Sequence, residues 1–337
     1  MAKREGERLF GGIDVGATKI LAIVADTNGN VISQAKKKTR GETGFKTVCE
    51  RIASTLAEAA EMEGLGFNNL DAVGIGIPMP VLPGGVTPTA SNLPGWENAP
   101  FVKTMNALIG RPCSAANDCN AGTYGEYVYG VGKGSKTLIG FFVGTGLGGG
   151  IVFHDQLIVG ENSMAAELGH IIVQEGGRLA RGCGHRGCLE AYASKAGMAR
   201  RMAWEIFFEG RKSILTQLVP DGNFATIKAS LLQEAYRKGD PVAVETLDEL
   251  AHYLGIGIAN YISIFGPDLV VIGGGVFESL GKELLPKVRE SARLRVFPAA
   301  SFKDTRICLT KMGDNAVALG AMALARRQFD EGTGRSE

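Results

Sequence analysis

Short apolar runs rich in β-branched residues recur along the chain, and glycines gather at their ends: FGGIDVG at 10–16, VGIGI at 73–77, LIGFFVG at 138–144 and LVVIGGG at 269–275. Runs of this kind, bounded by turn residues, predict buried strands. FGGIDVG, a turn at ATK, ILAIVAD at 20–26, the turn signal TNGN and VISQAKK at 31–37 predict a three-stranded meander with a glycine turn after its first strand. LIGFFVG, TGLGG, GIVFHD and QLIVGE repeat that order across 138–161, so the pattern predicts a duplicated architecture. Phe45, Val48, Ile52, Leu56 and Ala59 fall at helical spacing and predict an amphipathic helix over 45–63. DAVGIGIP then reads as a buried strand, FVKTMNALIG as a helix, PCSAAND as a strand and NAGTYGEYVYG as a helix. Further helices are predicted over 190–207, over 241–265, after LVVIGGGV, and in the closing GDNAVALGAMALARRQF. Strands alternating with helices define an α/β protein with a mixed sheet in each half.

A chain of 337 residues exceeds the usual size of one hydrophobic core, which predicts two domains with a cleft between them. The expected division is 1–120, joined by the C-terminal helix at about 314–330, and 121–313, with the boundary near 119–122. Lys and Arg total 36 against 35 Asp and Glu, a net charge of +1, and AKKKTR at 35–40 reads as a solvated strand end. No nucleic-acid partner is expected. The N-terminus MAKREGERLF lacks an apolar signal core, and no uncharged segment is long enough to span a bilayer, so the expectation is a soluble cytoplasmic protein with no membrane partner. In a reducing compartment the six cysteines form no disulfide framework; Cys49, Cys113, Cys119 and Cys308 read as scattered small apolar residues. Cys183 and Cys188 stand apart, in the stretch AELGHIIVQEGGRLARGCGHRGCLEAYAS at 166–194.

Glycine at strand ends lets backbone approach a ligand with no side chain between them. IDVGATK at 13–19 and VGTGLGGG at 143–150 resemble the two phosphate loops of actin-like ATPases, and neither follows the Walker A order. Each alone is also what a tight turn looks like; their occurrence at the same place in two matching meanders favours a pair of loops whose backbone N–H groups hold phosphate oxygens. In that arrangement Asp14 orients a metal ion, Gly16, Gly144 and Gly146 form the turns, and Thr18 and Thr145 donate to phosphate. Lys19 is a candidate phosphate contact, although a lone lysine at a turn is commonly just solvated. Gly273, Gly274 and Gly275 would let an adenosine lie against bare backbone. Asn117 and Asp118 fall where a strand meets a helix; both are good N-caps, and a carboxylate there also suits proton abstraction from an attacking hydroxyl. Asp118 is the expected general base, and Asn117 would fix a neighbouring hydroxyl. Glu167, His170 and Glu190 supply acceptors suited to sugar hydroxyls. Thiolates and imidazole at short glycine-rich spacing suit tetrahedral Zn²⁺, which would hold the loop that aims His170 and Glu190.

ELGH followed by CGHRGCLE, together with DVGATK, AND, VGTGLGGG and ASNLPGW, resembles the ROK family (repressors, open reading frames, sugar kinases), especially its glucokinase and N-acetylhexosamine kinase members, from about residue 9 to about 326. The resemblance implies an actin-like (RNase H-like) ATPase fold, ATP with Mg²⁺ as phosphoryl donor, and transfer to the C6 hydroxyl of a hexose. Glucose is the expected acceptor, with N-acetylmannosamine, N-acetylglucosamine or fructose as alternatives within the family. The resemblance also implies Asp118 as base, Asn117, Glu167, His170 and Glu190 as sugar ligands, Asn92 as a further one, and a homodimer. His170 would bind zinc through one ring nitrogen and sugar through the other. Two positions depart from the family pattern: Arg181 replaces the first cysteine of the zinc motif, and Met79 replaces a glycine of the sugar loop. The resemblance to fructokinase-like members, with a histidine three residues before the last cysteine, implies His185 as the fourth ligand beside His170, Cys183 and Cys188, the alternatives being a water ligand or a lost zinc. A sugar-sensing repressor would carry a DNA-binding domain ahead of DVGATK, where this chain leaves no room for one, and the sugar-type block from Glu167 to Glu190 argues against a structural actin-like ATPase.

Overall fold

The computed structural model describes residues 8–88, 95–180 and 182–334. Strands β1 (Leu9–Val15), β2 (Lys19–Asp26) and β3 (Val31–Lys38) form the antiparallel meander; β4 (Val73–Ile77) and β5 (Cys113–Asn117) extend it in parallel to the order β3-β2-β1-β4-β5. Helix α1 (Phe45–Glu61) connects β3 to β4, α2 (Phe101–Ile109) lies between β4 and β5, and α3 (Asp118–Val128) follows β5. Val48, Ile52, Leu56 and Ala59 are fully buried, so α1 places the face read from its spacing into the core.

The second half begins with β6 (Thr137–Val143), β7 (Leu147–Phe153) and a two-residue β8 (Gln156–Leu157). After these come α4 (Lys195–Phe207), α5 (Leu215–Leu218), α6 (Ala229–Arg237), α7 (Pro241–Phe265), β9 (Leu269–Gly273), α8 (Gly275–Arg293), α9 (Ala300–Asp304), β10 (Arg306–Leu309) and α10 (Ala316–Thr333). The sheet order is β10-β9-β6-β7-β8, with β9 parallel to both β6 and β10 and β8 antiparallel to β7. Strand for strand, β8, β7, β6, β9 and β10 occupy the places of β3, β2, β1, β4 and β5, and the duplication read from the meanders is a duplication of topology. Two details differ from the sequence pattern. The third strand of the second meander is cut to two residues, and the helix expected from 190 starts at Lys195, because the Ser194 side chain accepts the Gly197 N–H at 3.0 Å and caps it there.

Two compact units emerge: residues 1–134, 150–166 and 314–337, and residues 135–149 and 167–313. The first division falls after α3 and not at 119–122, because α3 packs along α10 within the first unit. That packing explains Gly12 and Gly74, whose strand-end runs the sequence pattern had placed near a ligand, and Gly320 in the closing helix as well. A Cβ on Gly74 would lie 1.8 Å from the Ala321 carbonyl oxygen, one on Gly12 2.3 Å from that of Ala318, and one on Gly320 1.7 Å from that of Ala121. Gly12 and Gly74 are bare so that α10 can lie on β1 and β4, and Gly320 lets α10 touch α3.

Gly320→Ala should therefore destabilise the first unit by about 1–3 kcal/mol or more, the scale of forcing a methyl group into a filled core. Urea unfolding followed by tryptophan fluorescence, with Trp96 fully buried in that unit, checks this; an unchanged midpoint would contradict the packing.

Candidate active site

Each glycine hairpin is closed by its first glycine, whose N–H donates forward across the turn, over a longer span in the first hairpin than in the second. In the first, the Gly16 N–H donates to the Lys19 carbonyl at 2.9 Å; in the second, the Gly144 N–H donates to the Gly146 carbonyl at 3.0 Å. The carbonyl side of each turn is then tied into its own unit. Thr39, fully buried, donates its hydroxyl to the Gly16 carbonyl at 2.6 Å and its N–H to the Thr18 carbonyl at 3.0 Å. The Gly144 and Thr145 carbonyls accept from the N–H groups of Lys195 and Ala196, at 3.0 and 3.1 Å, in the first turn of α4. With the carbonyls held inward, the N–H groups of Ala17 and Thr18 and of Thr145 and Gly146 have no acceptor among the described residues. Ala17, Thr18, Gly144 and Thr145 are exposed, so each hairpin presents adjacent N–H donors and a threonine hydroxyl to solvent, a nest for an anion.

In the first unit, Asp14 at the end of β1 is half-buried beside Asp118. Burial, then the Asp118 charge, with Asp314 adding and Lys19 opposing, pushes the Asp14 carboxyl from its ordinary 3.8 up to about 7. Lys19 pairs with Asp314 at 3.1 Å, and Lys36 reaches the same oxygen at 3.6 Å; these partners hold the Asp314 carboxyl below the usual range. Asn117 is the N-cap of α3: its Oδ1 accepts from Cys119 N–H at 2.9 Å and Asn120 N–H at 3.2 Å, which leaves its amide NH₂ as the group able to donate outward. Asp118 opens α3, with Oδ1 accepting from Cys119 N–H at 2.7 Å, so its carboxylate sits at the positive end of the helix. Capping by Asn117 thus uses its oxygen and not its amide nitrogen.

In the second unit, ligating atoms of His170, Cys183 and Cys188 lie within 4.8 Å of one another, with the two sulfurs 3.6 Å apart and both thiols free. His170 Nδ1 is buried with no hydrogen-bond partner, while its Nε2 faces Glu167 at 4.0 Å. A buried imidazole nitrogen without a partner beside two sulfurs is the donor set of a soft divalent ion. His185 is exposed and stands outside this group. Glu167 is exposed, and Glu190 has Oε2 on the Leu147 N–H at 2.9 Å. Arg181 and Asn92 lie outside the described residues. Met79 turns inward and is 4 % exposed, in one core cluster with Ile77, Trp96 and Phe101.

A cavity of about 220 Å³ in the second unit is lined by Gly144 and Thr145 of the hairpin, Lys195 and Met198 of α4, Ile227, Leu232 of α6, and Gly275 and Val276 of α8. Apolar walls on one side and hairpin amides on the other suit a nucleoside carrying phosphates. The three glycines of 273–275 divide: a Cβ would meet Thr310 at Gly273 and the Val143 carbonyl at Gly274, where φ is +93°, whereas at Gly275 it would meet nothing, and only Gly275 lines the cavity. Thr39, Asp314 and Lys195 were missed by the sequence pattern. A single threonine or aspartate after a strand carries no signal of its own, and Lys195 was submerged in a helix expected to begin earlier.

Two helix-flanked sheets of identical connectivity, each opening on a phosphate-ready glycine hairpin, define an actin-like ATPase fold. Residues 10–328 match the sequence profile described as the ROK family, and the chain belongs to that family. It is 32 % identical over 320 residues to a glucokinase of Thermotoga maritima, covering 94 % of this chain and 97 % of that one, and 34 % identical over 315 residues to a glucokinase of Streptomyces coelicolor, covering 94 % and 96 %. Among solved structures, a ROK family glucokinase from Streptomyces griseus in complex with glucose and AMPPNP superposes with a TM-score of 0.79 at 34 % identity, covering 96 % of this chain and 100 % of that one.

The raised Asp14 value sets the sign of one pH dependence. Between the ordinary 3.8 and about 7 the folded chain keeps a proton at Asp14 that the unfolded chain has released, so this contribution to stability is full below 3.8 and is lost as pH rises through about 7. Without added metal, Asp14→Asn should gain on the wild type as pH goes from about 5 to about 8. Melting curves of both proteins over that range decide it, and parallel profiles would rule it out.

Proposed function

We propose that this chain phosphorylates glucose on its C6 hydroxyl with ATP as donor. The observation that supports this best is the pair of hairpins, each with two adjacent N–H donors left without acceptors, in a chain that also carries a carboxylate at the start of α3 and a Glu–His set in ELGH. Backbone amides with no partner are preorganised donors, and phosphoryl transfer depends chiefly on positioning and charge neutralisation. The hairpin amides and the hydroxyls of Thr18 and Thr145 hold phosphate oxygens. Gly275 and the apolar wall of the second-unit cavity hold the nucleoside, with Lys195 beside the hairpin as a cation for its phosphates.

Asp118 accepts the proton of the C6 hydroxyl as that oxygen bonds to the γ-phosphorus and the bond to the leaving ADP oxygen breaks. Asn117 donates its amide to a neighbouring sugar hydroxyl, and Glu167, His170 and Glu190 accept from others. Asn92 belongs to the same proposal. Asp14 would hold Mg²⁺, which when bound neutralises charge on the donor phosphates; a half-buried carboxylate at a strand end with a second negative charge nearby is a fitting donor for it. His170 Nδ1, Cys183 and Cys188 fit a structural Zn²⁺ with three ligands from this chain. His185 would have to move to become the fourth. His170 Nε2 then stays available to the sugar. Homodimerisation in the cytoplasm completes the proposal; the exposed Trp204, Phe207 and Phe208 at the end of α4 are an apolar patch available for it, and sedimentation would read twice 35.5 kDa. Among the described residues no helix is long and apolar enough to cross a membrane.

A coupled ATP-consumption screen over glucose, mannose, fructose, N-acetylglucosamine and N-acetylmannosamine should give its highest kcat/KM with glucose; no turnover with any hexose would overturn the proposal. Asp118→Asn should lower kcat by roughly 10²–10⁴-fold with little change in KM for glucose, the scale of losing a general base. An unchanged kcat removes Asp118 from that role. Metal analysis of the purified protein should find about one zinc per chain, given three ligands and a fourth site filled by water or protein; a stably folded protein that carries no zinc would refute the zinc site.

A further inference from the structure

Glu190 sits two residues after Cys188, and its carboxylate is shared. Oε2 accepts the N–H of Leu147 at 2.9 Å, the residue that follows the second hairpin, while Oε1 lies on the side of Gly182. A Cβ on Gly146 would fall 2.4 Å from Glu190 Oε2 and 3.3 Å from its carboxyl carbon, and would meet no other atom. Gly146 is therefore bare for the sake of Glu190. The hairpin is gripped at two points: α4 amides hold its Gly144 and Thr145 carbonyls, and Glu190 holds the N–H of Leu147. Between these grips lie the Thr145 and Gly146 N–H groups that have no acceptor.

We propose that Glu190 is a positioning residue for the nucleotide: through the Leu147 N–H it fixes the second phosphate hairpin, and the chain binds nucleotide tightly only while that hydrogen bond is made. The inference rests on the nucleotide-binding role given to the hairpin above. It goes beyond a sugar-ligand role for Glu190, because it applies with no sugar present. It also implies that one carboxylate serves both substrates, so that ordering Glu190 with a sugar hydroxyl on Oε1 steadies the hairpin for nucleotide, and nucleotide does the same for sugar by the same factor.

The test is MgADP binding to the full chain by titration calorimetry, without sugar. Glu190→Ala should weaken binding roughly tenfold, the scale of losing one hydrogen bond to a charged acceptor. Glu190→Gln, whose amide oxygen can accept the same N–H, should recover most of it. Gly146→Ala should weaken binding in the wild-type background, where its methyl group displaces the carboxylate, and should cost nothing further in the Glu190→Ala background, where that methyl has open space. Wild-type affinity in Glu190→Ala, equal losses in the Gln and Ala variants, or an equal cost of Gly146→Ala in both backgrounds would each overturn the inference. None of those results touches hexose turnover by the wild type, whereas a wild type that phosphorylates no hexose would sink the proposed function whatever the titrations give.

Discussion

Turning a peptide group so that its carbonyl is satisfied inside the protein and its N–H points to water is the constraint from which this molecule's chemistry follows. At both hairpins the inward carbonyls are secured by groups from elsewhere in the same unit, Thr39 for the first and the start of α4 for the second, while Glu190 accepts the Leu147 N–H that follows the second. Outward N–H groups in an exposed turn are hydrated at little cost when empty, and a phosphate oxygen replaces water without any side chain being ordered. The glycines at 16, 144 and 146 serve this geometry in different ways. Gly16 and Gly144 each start a turn by donating across it, and Gly146 leaves room for a carboxylate.

The same elements explain why the chain is duplicated. A β-meander followed by parallel strands puts its first turn at the end of a rigid central strand, β1 or β6, whose other neighbour is parallel. Such a turn is anchored on both sides by sheet hydrogen bonds and by a core of fully buried Ile13, Ile20, Phe141 and Val143. Each unit builds one such turn and adds its own chemistry. The first supplies carboxylates at strand ends and a helix start; the second supplies an apolar cavity and a thiol–imidazole cluster.

Much of the fold was legible because it depends on local pattern. The first meander, the 3.6-residue spacing of α1 and the uninterrupted α7 are written in consecutive residues, and the structure places them as read, while the second meander keeps its order with its third strand cut short. The pairing of hairpins with strands came through for the same reason. What did not come through depends on residues far apart in sequence. The glycines of β1 and β4 looked like ligand contacts until α10, some 250 to 300 positions later, was seen lying on them. The tie of Glu190 to Leu147 spans 43 positions, and that of Lys19 to Asp314 spans 295; neither leaves a trace in the local pattern. Asn117 was weighed as cap against ligand; the structure shows the cap, made by its oxygen, and the cap leaves its amide nitrogen unused.

The Asp14–Asp118 pair shows why such a site is not built for stability. Two carboxylates brought near each other, one of them partly withdrawn from water, disfavour the charged form, and that cost appears as the raised Asp14 value. Lys19 stands close enough to offset part of it, yet its ammonium is also claimed by Asp314, itself bridged to Lys36. An ion pair committed elsewhere cannot fully neutralise Asp14, so the site keeps an unmet demand for positive charge. Under the proposed function, a divalent cation bound with the nucleotide would meet that demand. The proposed function would thus trade stability for cation affinity at this pair, and a closer lysine would stabilise the fold at the expense of that affinity.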